Sequence, residues 1–119
     1  MSEPKRVLVV DDQADICEVM GAILEGAGYV VGTAMNGRSA LKLLASETYD
    51  VAIVDALLPS GVSGLKLAEE LTGRGCRVIM MTGSVTMREK LEDGPYPVLM
   101  KPFRMSELKA LIRRALDDA

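Results

Sequence analysis

Five polar side chains in this sequence stand where an aliphatic run stops. Asp11 and Asp12 follow the run at 7–10, Asp55 the run at 51–54, Thr82 the run at 78–81 and Lys101 the run at 98–100. If those runs are neighbouring strands, three carboxylates, a hydroxyl and an ammonium share one small crevice. The acids carry −3 and the lysine +1, leaving −2. Two like charges about 4 Å apart, at an effective dielectric of about 20, cost on the order of 4 kcal/mol. The acids must therefore take up protons or recruit a cation. A hard divalent cation with oxygen ligands suits them, and Mg2+ is the abundant choice. With a lysine and a hydroxyl opposite, the crevice also suits an incoming phosphoryl group, whose charge is shared among cations and donors. The nucleophile is then a carboxylate. Asp55 is the candidate, because it stands alone while Asp11 and Asp12 are occupied with metal.

The elements that must bring these residues together are legible as periodicity. Short runs rich in β-branched residues recur at 7–10, 29–33, 51–54, 78–81 and 98–100, with helical patterns between most of them. Ile16, Met20, Ile23 and Leu24 keep a 3.6-residue period before Gly26 and Gly28 stop the helix. Ala40, Leu41 and Leu44 follow "NGRS", and Leu65, Leu67, Ala68 and Leu71 precede "TGRG". From about Met105, Leu108, Leu111, Ile112, Ala115 and Leu116 form one stripe. The interval "SVTMREKLEDGPYP" offers only Val85, Met87 and Leu91 before Gly94, Pro95 and Pro97, which predicts a short or frayed fourth helix.

Strand alternating with helix predicts a parallel sheet covered on both faces, with few right-handed windings available. Ligands in such sheets sit beyond the carboxyl ends of the strands, beside the switch in strand order. The second strand ends in Ala34-Met35, with nothing reactive. An order of 2-1-3-4-5 makes it an edge and sets the four polar ends side by side.

Composition narrows the chemistry further. The 119 residues suit one domain, 1–119, with neither linker nor output domain expected. There is no run of membrane-spanning length, and "MSEPKR" leads into a strand and not a signal-peptide core. A cytoplasmic protein is expected, with Cys17 and Cys76 as small reduced hydrophobes. The net charge of −3 argues against a nucleic-acid surface. The absence of histidine removes Ser-His and Cys-His pairs and any phosphohistidine on the chain itself. Met80, Met81, Met87, Met100 and Met105 are read as core filling, with an adaptable partner surface as the alternative. Asp15 and Glu18 read as first-turn acids suiting the helix dipole. Asp12 taken alone would be a helix cap.

Asp11-Asp12, "VAIVDALLPSGVSG", "MMTG" and "PVLMKPF", in that order and each at a strand end, resemble the receiver domain of two-component response regulators over essentially the whole chain. The resemblance implies a flavodoxin-like, CheY-like doubly wound α/β fold. It implies that Asp55 accepts a phosphoryl group from a phosphohistidine on a histidine kinase or histidine phosphotransfer protein. Asp12 would hold Mg2+ directly and Asp11 mostly through water, with Asp55 and the backbone carbonyl of Leu57 completing the protein ligands. Thr82 would be the switch hydroxyl, Gly83 would donate its backbone N–H, Lys101 would pair with a phosphate oxygen, and the bond to Pro102 would be cis. The face made by the fourth helix, fifth strand and fifth helix would meet an unidentified downstream protein, with no nucleic acid or membrane involved. The chain is expected to be regulatory, a stand-alone receiver or relay shuttle with slow autodephosphorylation, and not an enzyme.

Three departures from the family pattern carry expectations. Pro59 is in place, but the following glycine is Gly64, with Gly61 extra, so the loop is one residue longer and the third helix starts later. Many receivers carry an aromatic three residues before the lysine; Val98 stands there, with Tyr96 two residues earlier. Together with the short fourth helix, this resembles a subset in which that helix is reduced and mobile, so activation is expected to order residues 84–94. Leu57 and Ser84, two past Asp55 and Thr82, predict unexceptional hydrolysis of the phosphate. The competing readings are a receiver excised from a larger response regulator or hybrid kinase, an aspartate-nucleophile phosphatase, a flavodoxin-like cofactor binder and a degenerate binding module. The phosphatase wants acid-x-acid after the first strand, where Asp12 and Gln13 stand. A flavodoxin-like cofactor binder needs a hydroxyl-rich phosphate loop after the first strand, where Asp11-Asp12 would repel the cofactor phosphate. The complete acid, threonine and lysine set disfavours a degenerate module.

Overall fold

A computed structural model describes residues 3–59 and 61–117. In chain order the elements are β1 (Arg6–Val10), α1 (Ala14–Gly26), β2 (Val30–Ala34), α2 (Gly37–Ser46), β3 (Val51–Asp55), α3 (Gly64–Gly73), β4 (Arg77–Thr82), α4 (Val85–Glu92), β5 (Val98–Met100) and α5 (Met105–Asp117). The five strands are parallel in the order β2-β1-β3-β4-β5, as the spacing of polar strand ends predicts.

The unbroken aliphatic runs follow from this layering. β1 and β3 are central, so side chains on both of their faces are buried and no polar alternation is needed. One core layer packs Leu8, Val10, Ala52, Val54, Val78 and Met80 against Ala40, Leu44, Leu67, Leu71 and Leu91 of α2, α3 and α4. The other packs Val7, Val9, Val51, Ile53, Ile79, Met81 and Leu99 against Met20, Leu24, Leu108 and Ile112 of α1 and α5. Met80 and Met81 are core, whereas Met105 is about half exposed. Leu65 departs from the apolar stripe expected of α3 and is exposed. It lies two residues from Leu67, a rotation of about 200° that turns it off the Leu67–Ala68–Leu71 face.

The fourth helix is short, as its composition predicts. Ser84 caps it by accepting the Met87 N–H, Leu91 is its buried side chain, and Gly94 with Pro95 follow its end. Tyr96 precedes β5, and its hydroxyl lies 3.5 Å from the Thr72 hydroxyl at the end of α3. Both Tyr96 and Val98 pack on the α2–α4 side. Tyr96 therefore sits at the amino end of β5, away from Thr82 at the carboxyl end of β4.

Candidate functional site

The register of the sheet sets the polar strand ends level with each other. Val10 pairs with Val54, Asp55 with Met81 and Thr82 with Met100, so Asp11, Asp55, Thr82 and Lys101 emerge on one rim. The Lys101 backbone N–H donates to the Thr82 carbonyl at 2.8 Å, extending the ladder one residue past β5. The Lys101–Pro102 peptide bond is cis.

Asp11 is fully buried. Its Oδ1 accepts the Gln13 N–H at 2.8 Å and its Oδ2 accepts Lys101 Nζ at 2.5 Å. Asp55 repeats the arrangement: Oδ1 accepts the Leu57 N–H at 2.8 Å and Oδ2 accepts Lys101 Nζ at 2.7 Å. Each carboxylate is thus held by the backbone two residues on, the local turn that aspartate favours. Asp12 is exposed, and it does not cap α1, whose N-cap is Gln13 with no side-chain cap bond. One oxygen from each of Asp11, Asp12 and Asp55 can lie within 4.8 Å of the others, a group that could hold a metal ion. Three acidic oxygens at that spacing suit a hard cation.

Burial pushes the Asp55 carboxyl above its ordinary value, against the pull of the Lys101 and Leu57 donors. Burial works the other way on Lys101, but its hydrogen bonds to Asp11 and Asp55 prevail and hold the ammonium above its usual value. Lys101 is therefore cationic, and one ammonium is shared between two buried acids.

Thr82 is fully buried, and its hydroxyl oxygen accepts the Ser84 N–H at 3.0 Å. Gly83 is exposed at the rim, as is the Leu57 side chain. Two residues have contacts at the site that residue type did not reveal, although Gly64 already stands out in the loop pattern. Gln13 places its Oε1 3.4 Å from Lys101 Nζ, a third contact for that ammonium; its position directly after the acidic pair is the one signal the sequence holds. Gly64 opens α3 against the end of β3, where a Cβ would strike the Asp55 carbonyl oxygen and lie 2.9 Å from Ala56 Cα. Cys17 lies behind Asp11, with its thiol pointing at the Asp11 carbonyl at 3.4 Å; burial and then Asp11 push it up, so it is no thiolate.

The family model "Response regulator receiver domain" matches residues 7–113. The chain is 35% identical to the response regulator MprA of Mycolicibacterium vanbaalenii, covering 97% of this chain and 53% of MprA. It is 32% identical to the DNA-binding response regulator MtrA of Mycobacterium tuberculosis, covering 94% of this chain and 50% of MtrA. The chain thus spans about half the length of these relatives. Among solved structures it is similar to a CheY-like receiver domain protein of Methanospirillum hungatei, with a TM-score of 0.86 and 30% identity, covering 98% of this chain and 96% of that one. It is also similar to the response regulator TrrA of Thermotoga maritima, in complex with Mg(2+)-BeF, with a TM-score of 0.82 and 36% identity, covering 94% and 99%. Matched from residue 7 to residue 113, with its acids, hydroxyl and lysine on adjacent strand ends, the chain belongs to the response regulator receiver domain family, the phosphoacceptor module of two-component signalling.

Proposed function

We propose that Asp55 is the phosphoacceptor, taking a phosphoryl group from a phosphohistidine of a histidine kinase or histidine phosphotransfer protein. The observation that carries this reading is the single Lys101 ammonium bridging Asp55 at 2.7 Å and Asp11 at 2.5 Å. Asp11, Asp12 and Asp55, with the Leu57 carbonyl, would hold Mg2+, which supplies charge neutralisation for the incoming phosphoryl oxygens. The chemistry of the donor set favours that cation, and TrrA, to which the chain is similar, carries Mg(2+)-BeF.

An Asp55 carboxylate oxygen attacks phosphorus, the P–N bond to the donor imidazole breaks, and the imidazole nitrogen takes a proton as it leaves. Lys101 Nζ, already beside Asp55 Oδ2, moves to a phosphate oxygen. Thr82 gives up the Ser84 N–H and donates its hydroxyl to another, while Gly83 contributes its backbone N–H. Breaking the Thr82–Ser84 contact loosens the residue that caps α4, which links the phosphate to the face formed by α4, β5 and α5. That face is the proposed docking surface for a downstream protein. No helix among the described residues is long and apolar enough to cross a membrane, in keeping with a cytoplasmic role.

The test is incubation with Mg2+ and phosphoramidate or acetyl phosphate, followed by intact mass. A gain of about 80 Da that Asp55→Asn abolishes supports the assignment. Gain retained in Asp55→Asn, or gain independent of Mg2+, overturns it.

A further inference from the structure

The two edges of the sheet differ. β5 is three residues long and lies between Pro97 and Pro102, so it offers little to pair with. β2 is five residues long, reads VVGTA and contains neither charge nor proline. The Val30 N–H donates to the Lys5 carbonyl and the Ala34 carbonyl accepts the Asp11 N–H, so Val30, Gly32 and Ala34 bond inward to β1. Alternation turns the backbone N–H and C=O of Val31 and Thr33 outward, along the open edge. Val30 and Met35 at its two ends are exposed. An uncharged open edge of this kind is a template for another strand.

Beside the edge, α1 and β2 enclose a groove of about 420 Å³ lined by Glu18, Gly21, Glu25, Val31, Thr33 and Met35 among others. Glu18, Gly21 and Glu25 are spaced i, i+3, i+7 and stand on one side of α1. Gly21 brings no side chain into the groove, leaving a recess between two carboxylates. The helix carries Asp15, Glu18 and Glu25 and no lysine or arginine. Two copies of this chain pairing antiparallel through β2 would bring the glutamates of both α1 helices together on one face. That repulsion selects against self-pairing and for a basic partner.

We propose that the β2 edge accepts an extended segment of a partner protein as an added strand, carrying the pattern basic–x–aliphatic–x–basic. The outward Val31 and Thr33 groups bond its backbone, the aliphatic side chain fills the recess over Gly21, and the flanking cations pair with Glu18 and Glu25. The two glutamates are separated by about 10.5 Å along the helix axis. Alternate cations four residues apart on a strand span about 13 Å, within reach of long side chains. Such binding involves neither Asp55 nor a metal.

The probe is a blocked synthetic peptide, Thr-Lys-Thr-Val-Thr-Lys-Thr, titrated into 15N-labelled protein at low salt, with a peptide bearing Glu for both Lys as control. Expected results are shifts at Val31, Thr33 and Gly21 amides, slowed exchange of the Val31 and Thr33 amides, and no response to the control. Reversing both charges, Glu18→Lys with Glu25→Lys, should weaken binding by about tenfold. Thr33→Pro, which removes one outward donor, should abolish it, with folding of each variant checked by circular dichroism. The same shifts in Asp55→Asn separate this proposal from the phosphoacceptor assignment. No shifts at millimolar peptide, binding unchanged by charge reversal, or a dimer with protected Val31 and Thr33 amides in the absence of peptide would each overturn it.

Discussion

Lys101 Nζ lies 2.7 Å from Asp55 Oδ2 and bridges from there to the fully buried Asp11. The lysine is the counter-ion that the two carboxylates share. The site is therefore a charge network centred on one side chain, with a net formal charge of −2 when Asp12 is counted (three acids less one lysine).

Removing that centre exposes the repulsion. Lys101→Met leaves Asp11 and Asp55 without their ammonium, and breaking one side of a buried pair costs about 3–5 kcal/mol. The lysine is partly in contact with solvent, so screening reduces the expected loss to about 1–3 kcal/mol in metal-free buffer. Urea denaturation with and without Mg2+ checks this; the divalent ion should recover part of the loss. Equal midpoints for the two proteins without metal would contradict the network.

Mg2+ alone should stabilise the folded chain by mass action, by about 2.7 kcal/mol at a hundredfold excess over its Kd. The rise in Tm should reverse with EDTA and shrink in Asp12→Asn, whose carboxylate is one of the three clustered acids. Scanning calorimetry reads both. An undiminished rise in Asp12→Asn would remove that residue from the ligand set.

Gly64 is the backbone counterpart of the site. Gly64→Ala forces a Cβ against the Asp55 carbonyl oxygen and Ala56, so either α3 or the end of β3 must shift. A cost of about 1–3 kcal/mol is expected, as for other overpacked positions. Phosphorylation by phosphoramidate should slow in the same variant because Asp55 moves with its carbonyl. Gly73→Ala, where a Cβ meets nothing, is the control and should leave the phosphorylation rate unchanged.

Burial pushes the Cys76 thiol up to about 12 from 9.0. The thiol ionises more readily unfolded, so the folded state binds more protons between those values. Stability must therefore fall as pH rises from 9.0 toward about 12. The loss from this group approaches about 1.4 kcal/mol per pH unit within that window. Denaturation at pH 9.0 and 10.5 in reducing buffer should show a smaller decline in Cys76→Ala. An equal decline in both proteins would mean that the folded thiol titrates normally.

Activation is expected to act on residues 84–94. α4 is eight residues long, buries Leu91 and is capped by the residue whose N–H holds Thr82. NMR relaxation on the free and beryllofluoride-bound protein should find microsecond-to-millisecond exchange across this segment, quenched in the bound form. A free protein with α4 as rigid as α1 would exclude this switch.

Much of the fold was legible because it rests on short-range pattern. A central parallel strand has no wet face, so 7–10 and 51–54 had to be aliphatic throughout, and the blank end at Ala34-Met35 marked the edge strand. The meeting of the four polar ends was legible for the same reason, since strand ends in such sheets point to one rim. Leu65 was misplaced because apolar type was read without the helical angle that separates it from Leu67. The role of Gln13 escaped because it depends on a distance to Lys101, far along the chain. Gly64 was legible only as the glycine of the loop after Pro59, because its close approach to the end of β3 emerges only in three dimensions.

Residue order alone determined the elements, their parallel winding and the identity of the acids, hydroxyl and lysine, because each is encoded in local spacing and in where an apolar run stops. Tertiary structure decided which atoms meet. It gave Lys101 to Asp11 and Asp55 together, left Asp12 exposed, tied Tyr96 to Thr72 at the far end of the sheet and opened the β2 edge beside two glutamates. Those outcomes depend on register and on the reach of side chains across strands, which no local pattern specifies.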